Sequence, residues 1–163
     1  MKKNIAIFGG SLFQDIKYEN GKYIPTSKQS VIKLSGYYRI DNYSLEGMNI
    51  ERASHLIQSL PMKELYNDCI LALGEHDIEH PDFFEKSLRK IIDELQENHI
   101  RPLLVSLPKE IMQNPKAILI QDILDKIAVE KNVDYIYEGH TTKLVSYMIL
   151  ENQDIANAIL YLC

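Results

Sequence analysis

Cysteine is scarce in this chain of 163 residues: there are two, Cys69 and Cys163. Two cysteines give no disulfide framework. Cys69 sits in a buried-strand pattern and reads as a small core residue, and nothing around Cys163 activates it, so neither is expected to be a nucleophile. An excess of basic charge is missing as well. Eighteen Lys and Arg face 23 Asp and Glu, a net charge of -5. This argues against a nucleic-acid partner, because phosphate binding needs clustered cations. No apolar run approaches the roughly 20 residues of a membrane helix, so no membrane partner is expected. Met1-Lys2-Lys3 resembles a signal-peptide start, but the apolar run behind it stops at Gly9 and is needed as a strand. A cytoplasmic protein is the expectation. Internal repeats, low-complexity stretches and linkers are absent, which leaves one domain over 1–163. There is no Gly-x-Gly-x-x-Gly or Walker pattern, and no cofactor is expected. A flavin or nucleotide binder is a weaker idea, in which the Gly9-Gly10-Ser11 turn would hold a phosphate at a helix N-terminus.

What is present is an alternation of periods. Ile5 to Phe8, Cys69 to Leu73, Leu103 to Leu107 and Val133 to Ile136 are short apolar runs bounded by polar or turn residues, the pattern of strands covered on both faces. Between them, helical spacing joins Ala53, Leu56, Ile57 and Leu60. It also joins Phe84, Leu88, Ile91, Ile92 and Leu95, and then Ile120, Ile123, Leu124, Ile127 and Ala128. The second of these helices is expected to start near Asp82, after His80-Pro81. A last helical region spans about Thr142 to Leu162. Alternating strands and helices predict a parallel sheet of about five strands in a three-layer α/β/α sandwich. The segment Asp15 to Tyr38 breaks the rhythm. Its Asn20-Gly21 between tyrosine-bearing flanks predicts a hairpin, able to wall one side of a site.

Four segment ends carry chemistry in order. The first is Gly9-Gly10-Ser11-Leu12, the second Asn42-Tyr43-Ser44-Leu45-Glu46-Gly47, the third Leu73-Gly74-Glu75-His76-Asp77, and the fourth Glu138-Gly139-His140-Thr141. Ligands of open parallel sheets bind outside the carboxyl ends of strands, so the four are expected to form one site. This layout resembles the SGNH (GDSL-type) hydrolases, serine esterases and acyl hydrolases on a flavodoxin-like three-layer fold. The hairpin segment Gly21 to Pro25 after the nucleophile looks like that of a bacterial subgroup, and Ile100 to Pro108 reads like the family's fourth strand.

The resemblance implies that Ser11 is the nucleophile and His140 the general base. The oxyanion hole would be formed by the Ser11 and Gly47 amides with the His76 side chain. The substrate would be a small ester. Plainer roles stand beside these: a helix N-cap for Ser11, a turn glycine at Gly47, and loop histidines at His76 and His140. The chain departs from the family at three places. Gly10 stands where Asp is usual, His76 where Asn donates to the oxyanion, and Tyr137 where an Asp orients the histidine. Glu138 and Asp134 are nearby acids out of step with that spacing; a backbone carbonyl could hold the ring instead. The departures leave open a second reading, a catalytically impaired member that binds a small molecule or regulates. His76 and His80, four apart, would bind a metal only on a helix, which Pro81 disfavours, so no metal is expected. Tyr18, Tyr23, Tyr37, Tyr38 and Tyr43 either line a pocket or pack the hairpin. His55 and His99 fall on helix patterns and read as surface or boundary residues.

Overall fold

The computed structural model describes residues 3–10, 16–19, 22–25, 38–61, 63–107 and 109–136. Strand β1 (Lys3–Gly9) is followed by β2 (Ile16–Glu19), β3 (Lys22–Pro25) and β4 (Tyr38–Asn42). Helix α1 (Ile50–Gln58), β5 (Asp68–Ala72), α2 (Pro81–Glu97), β6 (Arg101–Val105), α3 (Pro115–Glu130) and β7 (Asp134–Ile136) complete the order. Short 3-10 turns at Lys63–Leu65 and Lys109–Gln113 lead into β5 and α3. The predicted hairpin is present: β2 and β3 pair antiparallel with Glu19 opposite Lys22, which leaves a two-residue connection.

The main sheet is parallel with strand order β4-β1-β5-β6-β7. From β1 the chain moves outward to β4, then returns across β1 and advances through β5, β6 and β7. The direction therefore reverses between β1 and β5, and a crevice opens outside the carboxyl ends of strands at such a switch point.

The register explains the core. Ala6, Phe8, Cys69, Leu71 and Leu104 share one cluster with Ile57 of α1, Phe84, Leu88 and Ile91 of α2, and Ile120, Leu124 and Ile127 of α3. The three helices thus cover the same face, as expected when each crossover is right-handed and advances the same way. Ile5, Ile7, Ile70, Leu103 and Val105 alternate with these along their strands and are also buried. Both faces are withdrawn from water, which is why these strands read as continuous apolar runs. Each buried Leu, Ile or Phe contributes about 1.5–3 kcal/mol of apolar transfer.

Helix starts follow the local chemistry. Pro81 and Pro115 occupy the first turns of α2 and α3, where no N–H is needed. Asn49 and Asn114 accept from Arg52 N–H and Lys116 N–H to cap α1 and α3. His99 lies just past the end of α2 with φ +58°, so it terminates the helix rather than riding on it.

Gly74 is the tightest backbone position. It has φ +113°, and a Cβ there would come within 2.7 Å of Ile120 Cγ2, 3.2 Å of Phe84 Cζ and 3.3 Å of Leu107 Cδ2. Conformation and packing both demand glycine. Gly74→Ala is expected to cost about 3 kcal/mol, from overpacking plus strain, measured as a lowered urea midpoint with an unchanged slope.

Candidate active site

The end of β1 lies at the switch point. A Cβ on Gly9 would lie 3.0 Å from Ala72 Cβ and 3.3 Å from Ala72 O, so β1 and β5 approach closely where they end. Gly10 follows, and the turn after β5 hangs over it. A Cβ on Gly10 would lie 3.5 Å from Glu75 Oε2 and 3.7 Å from His76 Nε2. The His76 imidazole therefore borders the residue immediately before Ser11.

The Gly47 loop is fastened at both ends. At its start, Tyr43 N–H donates to Ile7 O at 2.8 Å and Leu45 N–H to Gly9 O at 3.0 Å, carrying the parallel ladder past the end of β4. The Tyr43 ring stacks on Phe8 with centroids 5.1 Å apart. Its hydroxyl lies 3.1 Å from that of Tyr66, which donates to Asp41 Oδ2 at 2.6 Å. Burial, and then the Asp41 carboxylate, push the Tyr66 phenol well above its ordinary range. At the far end, both oxygens of Asp77 accept from Ile50 N–H, at 3.0 and 3.1 Å. Ile50 opens α1, so Asp77 binds a free N–H at the positive end of a helix. Burial still raises the Asp77 carboxyl above its ordinary value, against the opposing pull of Ile50 N–H, His76 and His80.

Between these fasteners the chain turns at Gly47, with φ +74° and open space where a Cβ would be. Here glycine is required by conformation, not by crowding. Among the described residues the Gly47 N–H and the His76 ring have no hydrogen-bond partner. Both are solvent-exposed. The loop thus offers one amide and one imidazole at the same sheet edge, the donor type an oxyanion requires.

No family model matches the sequence, and no curated protein matches it. Solved structures do. The chain is similar to the psychrotrophic esterase EstA from Pseudoalteromonas sp., inhibited by monoethylphosphonate, at TM-score 0.67 and 13% identity, covering 83% of this chain and 77% of that one. It is similar to TesA at TM-score 0.65 and 15% identity, covering 82% and 77%. A mutant of the esterase AlinE4 aligns at TM-score 0.63 and 20% identity, over 95% and 82%. The chain has the SGNH-hydrolase fold.

On that fold, the structure brings Gly47 and His76 to one edge and links their loops through Asp77 and Ile50. Ser11, His140, Glu138 and Tyr137 lie outside the described residues. The candidate acid Asp134 is not brought to this edge. Its carboxylate is 3.7 Å from Arg101 Nη1, and Arg101 Nε donates to Asp68 Oδ1 at 3.0 Å, at the amino ends of β5 and β6. His76 to His80 form turns, not a helix, and among the described residues no cluster of His, Cys, Asp or Glu could hold a metal. Cys69 is fully buried, and burial pushes its thiol up, which removes it as a nucleophile. Sequence reasoning passed over Asp77 and Glu75. The only available signal was their place in the third motif.

Two effects of Asp77 are measurable. Asp77→Ala removes a helix-start acceptor and is expected to lose about 1–2 kcal/mol by urea denaturation, with Asp77→Asn losing less because it keeps an oxygen for Ile50 N–H. A carboxyl raised on folding binds more protons in the folded state, so its contribution falls as pH rises from the ordinary value of 3.8 through the folded one. The stability difference between the Asn variant and the wild type is therefore expected to move toward the Asn variant over that window. A pH-independent difference would contradict this.

Proposed function

We propose that the protein is a serine ester hydrolase acting on small carboxylic esters. The observation that supports this reading is that His76 borders Gly10 while the Gly47 amide, without a hydrogen-bond partner among the described residues, lies at the same carboxyl-end edge of the sheet. The likeness of the fold to solved esterases supports it.

Ser11 Oγ attacks the ester carbonyl while His140 takes its proton. The carbonyl oxygen becomes an oxyanion that accepts from the Ser11 and Gly47 N–H groups and from His76 Nε2–H. His140 then passes the proton to the departing alkoxide, the alcohol leaves, and the acyl group stays on Ser11. Water, deprotonated by His140, attacks the acyl-enzyme and releases the acid. An imidazole replaces the amide of asparagine without loss of donor count, since one ring N–H suffices. With Tyr137 where the family has its acid, the reading calls for a backbone carbonyl or Glu138 to orient His140, and so for a dyad or a displaced acid.

A second reading, a silent pocket that binds a small acid or ester, is favoured by the three departures at positions 10, 76 and 137. A fluorophosphonate probe with peptide mapping separates the two. The hydrolase reading predicts one adduct, on Ser11, lost in Ser11→Ala and strongly slowed in His140→Ala. Folded protein that takes no label would establish the silent pocket instead. His76→Ala is expected to lower kcat on p-nitrophenyl acetate by about 100- to 1000-fold, the cost of one oxyanion donor.

A further inference from the structure

Glu75 is the feature of the crevice that the hydrolase reading leaves unused. Its Oε2 comes within 3.5 Å of the Cβ position of Gly10, which the His76 Nε2 also approaches at 3.7 Å, so a carboxylate stands beside the residue preceding Ser11. The other acids of this turn are committed. Asp77 is occupied by Ile50 N–H, and Glu79 by Lys116 Nζ at 2.6 Å. Among the described residues the Glu75 carboxylate has neither an ion-pair nor a hydrogen-bond partner. It is half-buried, so water screens it less than a fully exposed charge.

A carboxylate beside Gly10, without an ion-pair partner among the described residues, acts on any charge that a substrate brings to this edge of the sheet. From this we infer that Glu75 is a specificity-determining residue that admits neutral and cationic esters and repels those with a carboxylate or phosphate close to the ester bond. The inference rests on the hydrolase reading of the same site. Glycine at position 10 belongs to the arrangement, because the Glu75 and His76 side chains border the space that an aspartate there would enter. An aspartate would also set two carboxylates against each other.

Three phenyl acetates of matched size test it: 4-acetoxybenzamide, 4-acetoxybenzoate and (4-acetoxyphenyl)trimethylammonium, hydrolysed at pH 8 by wild type and Glu75→Gln. The readout is the ratio of kcat/KM values within each protein, which cancels intrinsic reactivity and any general loss of activity. The anionic-to-neutral ratio is expected to rise about 10-fold in the Gln variant and the cationic-to-neutral ratio to fall, the order for unit charges about 6 Å apart in a partly wet site. In wild type both ratios are expected to approach those of the variant as salt is raised from about 0.01 to 1 M. Ratios that agree within twofold between the two proteins would overturn the role of Glu75 while leaving the hydrolase reading intact. Folded wild type that hydrolyses none of the three esters and takes no fluorophosphonate would overturn the hydrolase reading, and the Glu75 role with it.

Discussion

The buried carboxylate of Asp77 on the N–H of Ile50 is the contact on which the candidate site depends. It joins the turn after β5, which carries Glu75 and His76, to the first turn of α1, which ends the Gly47 loop. Burying a carboxylate is costly, and here the cost is visible in the raised carboxyl. A helix N-terminus offers unpaired N–H groups and a positive dipole end, and these offset part of it. The other end of the same loop rests on the carbonyls of Ile7 and Gly9, so its geometry is inherited from β1. These two attachments fix the Gly47 turn at both ends.

Positions 10 and 76 are neighbours in space. An imidazole is larger than a carboxamide, and it lies over a residue that has no side chain. Asp134 sits at the opposite end of the sheet from Gly47 and His76, its carboxylate 3.7 Å from Arg101 Nη1.

Much of this architecture was legible from residue order. β1, β5 and β6 announced themselves because both faces of their strands are buried, and Asn20-Gly21 announced the hairpin through its turn chemistry. Tyr38–Asn42 did not, because Tyr-Arg-Ile-Asp-Asn is an edge strand whose polar residues break any apolar run; only pairing with β1 defines it. Within the site, Gly47 could be picked out as a turn glycine because its positive φ is a local property. Asp77 and Gly74 could not be interpreted. The partner of Asp77 is 27 residues away, and the neighbours that crowd Gly74 come from α2, α3 and the end of β6. Asp134 misled through chain proximity to His140, since six residues in sequence say nothing about which end of a strand a carboxylate faces.

The most direct test of the account is a crystal structure of the protein after reaction with a phosphonate ester. The account predicts phosphorus bonded to Ser11 Oγ, with the phosphonyl oxygen about 3 Å from both Gly47 N and a ring nitrogen of His76. An adduct whose phosphonyl oxygen faces solvent, with Gly47 N–H and His76 pointing elsewhere, would contradict it.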